Sequence, residues 1–124
     1  MSAVLDTNAL MMPVECDVRV FEELDRLLGT GERFVPDAVV AELRDLSTGA
    51  GEETTAASVG LDLVDRCTIR EHDADYADDA VLELARTEDV YAVTNDGPLQ
   101  ERLLAANRPV IGLRGRNKLA ITQP

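Results

Sequence analysis

Residues 3–8 read AVLDTN, and this short run decides how the rest of the chain is interpreted. Its apolar residues predict a short buried strand, which Asp6 closes with a carboxylate. A second apolar run, VYAV at residues 90–93, is followed closely by Asp96. In an open α/β sheet, ligands bind in the crevice beyond the carboxyl ends of the strands. The two runs therefore predict acidic side chains gathered at one edge of such a sheet.

Apolar periodicity predicts that strands alternate with helices along the whole chain. The predicted strands cover residues 3–6, 33–35, 67–69, 90–94 and 110–113. The predicted helices cover residues 17–28, 37–46, 54–65, 75–87 and 98–107. This alternation implies an α/β protein with a parallel sheet covered on both faces by helices. A chain of 124 residues without internal repeats is expected to form one domain, residues 1–124.

The composition excludes several classes of protein. No apolar run approaches the ~20 residues of a transmembrane helix, and no signal peptide is recognisable, so a soluble cytoplasmic protein is expected. Cys16 and Cys67 lack any metal-ligand spacing and are expected to be reduced thiols. His72 lies in a polar stretch and is interpreted as a solvated loop residue, so no Ser/His/Asp or Cys/His catalytic arrangement is expected.

The chain is strongly acidic, with 24 acidic residues, 12 basic residues and a net charge of −12. Lys118 is its only lysine. Acidic, lysine-poor surfaces keep proteins soluble in a high-salt cytoplasm, where screening is short-ranged. We therefore expect a halophilic source. The clearest basic stretch is RGRNK at residues 114–118, directly after the last predicted strand.

Further carboxylates stand out at Glu42, early in the second predicted helix, and at the pair Asp78 and Asp79. Carboxylates delivered to one pocket from several segments bind hard, oxygen-preferring cations such as Mg²⁺ or Mn²⁺. The helical periodicity places Asp78 at the edge of an apolar stripe and turns Asp79 toward the polar face. Asp37 and Asp75 are interpreted as helix caps instead.

Taken in order, these motifs resemble the PIN-domain ribonucleases. The motifs are LDTN at residues 5–8, Glu42, ADDAV at residues 77–81 and VTND at residues 93–96. The DTN start and the DD pair are similar to the archaeal, Fcf1-like proteins of rRNA processing, and the VapC-type toxin nucleases are close relatives. The resemblance covers nearly the whole chain. It implies a three-layer α/β/α sandwich with a five-stranded parallel sheet.

The resemblance also implies a metal-dependent endoribonuclease with one or two Mg²⁺ or Mn²⁺ ions. Asp6 and Asp96 would be metal ligands at strand ends, and Glu42 would reach in from its helix. The third acidic ligand is Asp78 or Asp79. The spacing back from Asp96 and the helical periodicity both favour Asp78, with Asp79 as a nearby acid that supports the ligands.

Polar and basic neighbours complete the expected site. Asn8 and Thr94 would orient the metal ligands or their waters. A bound metal would lower the pKa of its water and supply hydroxide for attack on phosphorus. Arg114, Arg116 and Lys118 would flank the crevice and contact RNA, with a solvated loop that balances nearby acids as an equal alternative. Aromatic residues make up only 3% of the chain, so base stacking is not expected to be the main grip on RNA.

Three functions stay open on the sequence. The first is a ribonuclease that processes an rRNA precursor together with a ribosome-assembly partner. The second is a VapC-type toxin paired with an antitoxin, and the third is a non-catalytic scaffold in an RNA-processing complex. Family members often dimerise, so a homodimer is a further expectation. A P-loop enzyme is excluded because no GxxxxGK run occurs.

Overall fold

The computed structural model describes residues 1–124, which form six strands and six helices around one sheet. The elements in chain order are β1 (Ala3–Leu5), α1 (Thr7–Glu15), α2 (Val20–Leu28), β2 (Arg33–Pro36), α3 (Asp37–Leu46), α4 (Glu52–Val64), β3 (Thr68–Arg70), α5 (Ala77–Thr87), β4 (Tyr91–Val93), α6 (Gly97–Ala105), β5 (Val110–Arg114) and β6 (Lys118–Thr122). No helix combines the length and the apolar character that a membrane crossing requires.

The sheet has the strand order β3-β2-β1-β4-β5-β6. Strands β1 to β5 run parallel, as the alternating pattern predicts, and helices flank them. The central strand β1 is completely buried and pairs with β2 on one side and β4 on the other. The strand order therefore reverses between β1 and β4, and this switch point is where α/β sheets open a crevice at their carboxyl edge.

The sixth strand, β6, corrects the prediction of a five-stranded, wholly parallel sheet. It pairs antiparallel with β5, with Ile111 opposite Ile121 and Arg114 opposite Lys118. Gly115, with a φ of +69°, makes the turn between the two strands. Residues 114–118, read as an irregular basic loop, are therefore the end of a β-hairpin. Short edge strands give weak sequence signals because only one of their faces and one of their edges are covered.

The first helix, α1, is another element that the sequence pattern did not predict. Its interior contains Pro13, a residue that argues against a helix on sequence grounds. The helix forms because tertiary packing lays it along α4. Gly60 permits that close approach, since a Cβ added there would lie 3.0 Å from the Leu10 carbonyl oxygen. The helix predicted over residues 17–28 begins only at Val20.

The helix caps assigned to Asp37 and Asp75 are also wrong. Pro36 is the N-cap of α3 and Tyr76 is the N-cap of α5, and neither uses its side chain as a cap. His72 serves instead, because its Nε2 accepts the Ala38 backbone N–H at 3.0 Å, in the first turn of α3. A solvated histidine was therefore the wrong interpretation of this residue, which is half-buried and structural.

The Glu23 side chain of α2 holds β6 in place. This carboxylate is buried and accepts the Leu119 backbone N–H at 2.8 Å and two hydrogen bonds from the Arg26 guanidinium, at 2.8 and 3.1 Å. Arg26 also donates to the Leu119 carbonyl oxygen at 2.8 Å. The hydrogen bond with Arg26, followed by that with Leu119, lowers the pKa of Glu23 from 4.5 to about 2. Glu23 is therefore an ionised anchor for the last strand.

We expect Glu23→Gln to lower the free energy of unfolding by about 1–3 kcal/mol at pH 7, because a buried hydrogen-bond network loses its negative charge and one of its two acceptor oxygens. A carboxylate with a lowered pKa stabilises the fold above its unfolded pKa, and this contribution disappears as the pH falls toward 2. The difference between wild type and variant should therefore shrink between pH 4.5 and pH 2. Urea unfolding over this range measures it.

The matched control is Glu22→Gln, because Glu22 is the exposed neighbour of Glu23 and lies 3.9 Å from Arg66 across the surface. Such pairs contribute little, so this variant should unfold like the wild type. Equal stability of the two variants would contradict the assignment of Glu23 as the anchor of β6. Hydrogen exchange of the β6 amides should quicken only in Glu23→Gln.

Candidate functional site

Asp6 lies at the end of β1, where the sheet reverses its strand order. It is the N-cap of α1, and its Oδ1 accepts the Ala9 backbone N–H at 2.7 Å. Its side chain also hydrogen-bonds with Thr94. The residue is only 4% exposed, and this burial raises the pKa of Asp6 from 3.8 to about 7, with smaller increases from the charges of Asp78 and Asp96. Asp6 is therefore a carboxyl group that is costly to ionise in isolation.

Asp96 repeats the arrangement of Asp6 at the end of β4. It is the N-cap of α6, and its Oδ2 accepts the Leu99 backbone N–H at 2.9 Å. Its own backbone N–H donates to the Thr94 Oγ1 at 3.0 Å. Thr94 is completely buried and contacts both aspartates. One hydroxyl thus fixes the relative positions of the two strand-end acids.

A chain of amide hydrogen bonds ties the same edge of the sheet together. The Asn8 Oδ1 accepts the Asn95 backbone N–H at 3.1 Å, and the Asn95 Oδ1 accepts the backbone N–H of Leu113 at 3.3 Å. Gln100 donates from Nε2 to the Thr94 carbonyl oxygen at 2.7 Å. These bonds connect the start of α1 with β4, β5 and α6. Asn8 therefore acts on the backbone beside Asp96 rather than on a carboxylate.

The structure brings the four acids selected from the sequence into one cleft of about 280 Å³ at this edge. The cleft is lined by Asp6, Thr7, Asn8, Met11, Glu15, Glu42, Leu46, Glu53, Asp78 and Asp96. Glu42 comes from α3 and Asp78 from α5, so four separate segments each deliver one of the selected acids. Burial raises the pKa of Asp78, and the charges of Asp96 and Glu42 raise it further. The carboxylates are therefore close enough to repel one another.

The neighbouring pair Asp78 and Asp79 is divided by the helix. Asp78 faces the cleft, whereas Asp79 lies outside it and accepts a hydrogen bond from the Arg102 guanidinium at 2.7 Å. This agrees with the helical periodicity of the sequence, which turned Asp79 away from the side chain of Asp78. Asp79 influences the site only through its charge, which contributes a small increase to the pKa of Asp78.

Three polar lining residues were not selected from the sequence. Thr7 is buried, and its Oγ1 has no hydrogen-bond partner. Glu15 ends α1, which was not predicted, and Glu53 lies in the first turn of α4, one position before the helix predicted over residues 54–65. The signal for Thr7 was available, since it follows Asp6 directly. Glu15 and Glu53 could not be distinguished from other surface acids in a chain with 24 acidic residues.

The donor set of the cleft fits a hard divalent cation. As the side chains stand, no three His, Cys, Asp or Glu residues are arranged to hold an ion together. The cleft nevertheless offers several carboxylate oxygens and the Thr7 hydroxyl, and Mg²⁺ and Mn²⁺ prefer oxygen ligands. It also contains an unpaired, buried hydroxyl at Thr7 and a carboxyl at Asp6 whose pKa is raised to about 7. A cation would remove the cost of ionising that carboxyl and provide a partner for the hydroxyl.

The three basic residues selected from the sequence lie on the β5–β6 hairpin and are exposed. Arg116 lines a groove of about 840 Å³ that shares Glu15 with the acidic cleft, so the groove and the cleft are neighbours. Lys118 faces another way, with its Nζ 3.9 Å from the Glu23 carboxylate. Arg114 stands opposite Lys118 in the strand register. Of these three basic residues, Arg116 is the one that lines the groove beside the acidic cleft.

These features define an α/β protein with a carboxylate-lined cleft at the switch point of its sheet. A family model described as a PIN like domain matches residues 3–116. The chain is 31% identical to Ribonuclease VapC4 of Methanocaldococcus jannaschii over 126 residues, which cover 95% of this chain and 94% of the relative. The chain therefore belongs to the PIN domain family, which confirms the resemblance drawn from its motifs.

Solved structures show the same fold. The PIN domain endonuclease Utp24 superimposes with a TM-score of 0.80 at 22% identity, covering 99% of this chain and 92% of that one. A second structure is VapBC2 from Rickettsia felis bound to a DNA fragment from the VapBC2 promoter. It gives a TM-score of 0.68 at 16% identity, covering 92% of this chain and 100% of that one. The α/β/α sandwich expected from the sequence is thus confirmed, with β6 added at its edge.

In metal-free protein, we expect Asp6→Asn to become increasingly stabilising as the pH rises. The fold favours the protonated Asp6, so the wild type loses stability between pH 3.8 and about 7, whereas asparagine keeps the cap on Ala9 without a charge. The difference in the free energy of unfolding between Asp6→Asn and wild type should grow by about 1.4 kcal/mol per pH unit over this interval and stay constant above it. Unfolding of chelator-treated protein at several pH values measures it.

The control is Asp62→Asn, an exposed aspartate of α4 outside the cleft, which should unfold with the pH dependence of the wild type. Adding Mn²⁺ should stabilise the wild type more than Asp6→Asn. An ion stabilises the folded state according to how tightly that state binds it, and the variant lacks one of the proposed ligands. A constant difference between Asp6→Asn and wild type from pH 4 to pH 8 would contradict the burial of an ionisable Asp6.

Proposed function

We propose that this protein is a metal-dependent endoribonuclease whose catalytic and metal-binding residues are Asp6, Glu42, Asp78 and Asp96. The observation that carries the proposal is the convergence of these four carboxylates, from four segments, in one cleft at the switch point of the sheet. The similarity to Ribonuclease VapC4 over 95% of the chain supports RNA as the substrate. One or two Mg²⁺ or Mn²⁺ ions are the proposed cofactors.

The chain prepares the cleft for this chemistry. Asp6 and Asp96 each use one carboxylate oxygen to cap a helix, through Ala9 and Leu99, so the cap does not occupy the second oxygen of either carboxylate. The Thr94 hydroxyl accepts the backbone N–H of Asp96 and hydrogen-bonds with the Asp6 carboxyl group, so it links the two strand ends. A bound metal would lower the pKa of a water molecule and neutralise charge on the phosphate. The protein's own contribution to catalysis is therefore the positioning of the acids.

The proposed substrate is an rRNA precursor, handled together with a ribosome-assembly partner. This follows the resemblance of the DTN and DD motifs to the archaeal processing group. A VapC-type toxin with an antitoxin partner is the second candidate, favoured by the name of the 31% identical relative. An antitoxin gene beside this one would favour the toxin, and its absence together with essentiality would favour rRNA maturation. Dimerisation, a cytoplasmic location and a halophilic archaeal source stay predictions.

Cleavage of a panel of labelled RNAs in Mn²⁺ and high salt tests the proposal. We expect Asp6→Asn and Asp96→Asn to cut RNA at least about 100-fold more slowly than wild type. Loss of a residue that only supports a metal ligand already costs up to about 100-fold, and loss of a ligand should cost no less. Both asparagines preserve the helix caps, so the loss is chemical rather than structural. Omitting Mg²⁺ and Mn²⁺ should abolish cleavage.

Two controls make the result specific. Asp79→Asn and Asp62→Asn remove one negative charge each outside the cleft and should cut like wild type. Loss of cleavage in Asp79→Asn but not in Asp78→Asn would reverse the assignment of the third acid. Cleavage that survives Asp6→Asn would refute the mechanism, and folded protein that binds RNA without cutting it would favour the scaffold.

A further inference from the structure

Two of the four proposed metal ligands cap the helices behind them, and the other two do not. Asp6 caps α1 and Asp96 caps α6, so the position of each carboxylate is fixed where its helix begins. Glu42 and Asp78 lie within α3 and α5, and the N-caps of these two helices make no side-chain hydrogen bond. The first N–H groups of α3 and α5 therefore need acceptors from elsewhere in the fold.

His72 bridges the starts of these two helices. It is half-buried in the segment between β3 and α5. Its Nε2 accepts the Ala38 backbone N–H at 3.0 Å, in the first turn of α3. Its Nδ1 lies 2.7 Å from the carbonyl oxygen of Ala74, three residues before α5 begins at Ala77. One ring thus links the start of α3 with the segment that leads into α5.

The two partners define which nitrogen of the His72 ring carries the proton. A backbone N–H can only donate and a carbonyl oxygen can only accept, so the ring accepts at Nε2 and donates from Nδ1. The neutral imidazole with its proton on Nδ1 is the form that does both. An apolar ring at this position would leave the Ala38 N–H and the Ala74 carbonyl oxygen without these hydrogen bonds.

The segment that His72 binds is attached to α5 by a second contact. The Glu83 carboxylate of α5 accepts the Asp73 backbone N–H at 2.9 and 3.1 Å and the Ala74 backbone N–H at 3.0 Å. Ala74 therefore donates to α5 through its N–H and accepts from the His72 ring through its carbonyl oxygen. The position of α5 is thereby transmitted through His72 to α3.

Both ends of the His72 bridge lie one helical turn from an acid of the cleft. Ala38 comes four residues before Glu42, and in an α-helix the carbonyl oxygen of one residue accepts the N–H four residues later. Ala74 comes four residues before Asp78. Glu42 and Asp78 both line the cleft, and α3 packs on α5. A shift of α3 against α5 would therefore change the separation of two carboxylates that have to bind one cation.

We propose that His72 is a positioning residue of the metal site, which sets the separation of Glu42 and Asp78 and thereby the affinity of the cleft for Mg²⁺ or Mn²⁺. The inference rests on the proposed function, since it requires these acids to bind a cation. It adds a residue that does not line the cleft and acts only through the backbones of Ala38 and Ala74. Residues that orient metal ligands from outside contribute about 10- to 100-fold to metal affinity.

Titration of chelator-treated protein with Mn²⁺, followed by calorimetry, tests the inference without RNA. We expect His72→Phe to weaken Mn²⁺ binding by about 10-fold or more, because phenylalanine keeps a ring but makes neither hydrogen bond. His72→Gln should bind Mn²⁺ more tightly than His72→Phe, since its amide supplies one acceptor and one donor. Asp73→Asn, a change to the exposed neighbour of His72, is the matched control and should bind Mn²⁺ like wild type.

A destabilised variant separates positioning from a general loss of stability. Glu23→Gln weakens the anchor of β6, which lies at the opposite edge of the sheet from β3. It should unfold more easily than wild type and keep the wild-type affinity for Mn²⁺, whereas folded His72→Phe should lose affinity. In RNA cleavage by His72→Phe, the Mn²⁺ concentration at half-maximal rate should rise by the same factor as the dissociation constant.

Hydrogen exchange of the wild type tests the same coupling without a substitution at His72. A coupling between two equilibria is reciprocal, so if the bond from Ala38 to His72 strengthens Mn²⁺ binding, then Mn²⁺ should strengthen that bond. We expect saturating Mn²⁺ to slow exchange of the Ala38 amide by a factor similar to the loss of affinity in His72→Phe. The Leu119 amide, which Glu23 binds at the far edge of the sheet, should slow less.

Wild-type Mn²⁺ affinity in His72→Phe would overturn the inference, and so would an Ala38 amide whose exchange is unaffected by Mn²⁺. An equal loss of affinity in Asp73→Asn or Glu23→Gln would also overturn it. In each case the metal site itself would stand, provided that Asp6→Asn still weakens Mn²⁺ binding. Failure of the wild type to bind Mn²⁺ would overturn the proposed metal site together with the inference.

Discussion

Asp6 places a carboxylate at the end of the completely buried strand β1, and the surrounding structure has to accommodate it. Burial disfavours its charge, so its pKa rises to about 7, while the bonds from Ala9 and Thr94 work in the opposite direction. The two partners come from different elements. Ala9 lies in the first turn of α1, which Asp6 caps, and Thr94 directly follows β4. The fold and the site thus meet in one residue, and a cation that binds there also relieves a cost of folding.

The sequence predicted the parts of this structure that repeat or that end a buried strand. The five parallel strands could be read from short apolar runs, and Asp6 and Asp96 from their places behind two of them. Asp78 could be separated from Asp79 because consecutive residues of a helix point in directions about 100° apart. What the sequence did not predict depends on contacts between distant segments. Pro13 makes the sequence of α1 look unlike a helix. Strand β6 is held by its pairing with β5 and by Glu23, which lies 96 positions before Leu119 and accepts its backbone N–H.

The site shows the same division between local and distant information. Thr94 could be predicted as a neighbour because it lies two positions before Asp96, whereas Glu53 reaches the cleft only through the packing of α4 on α1. His72 looked like a surface residue because nothing in its neighbours indicates that α3 needs an acceptor at Ala38. Residues that act through a partner far along the chain carry no local signature, and these are the residues that brace the cleft.

The dependence of β6 on Glu23 also bears on how the chain is made. Synthesis proceeds from the N-terminus, so α2 and the five parallel strands leave the ribosome before the last strand does. During that interval β5 has a free edge, and the Glu23 carboxylate lacks its Leu119 partner. An open strand edge can recruit the edge of another chain. The β5 edge is therefore open to misassembly until β6 appears, and the acidic surface, which repels neighbouring copies, opposes such contacts.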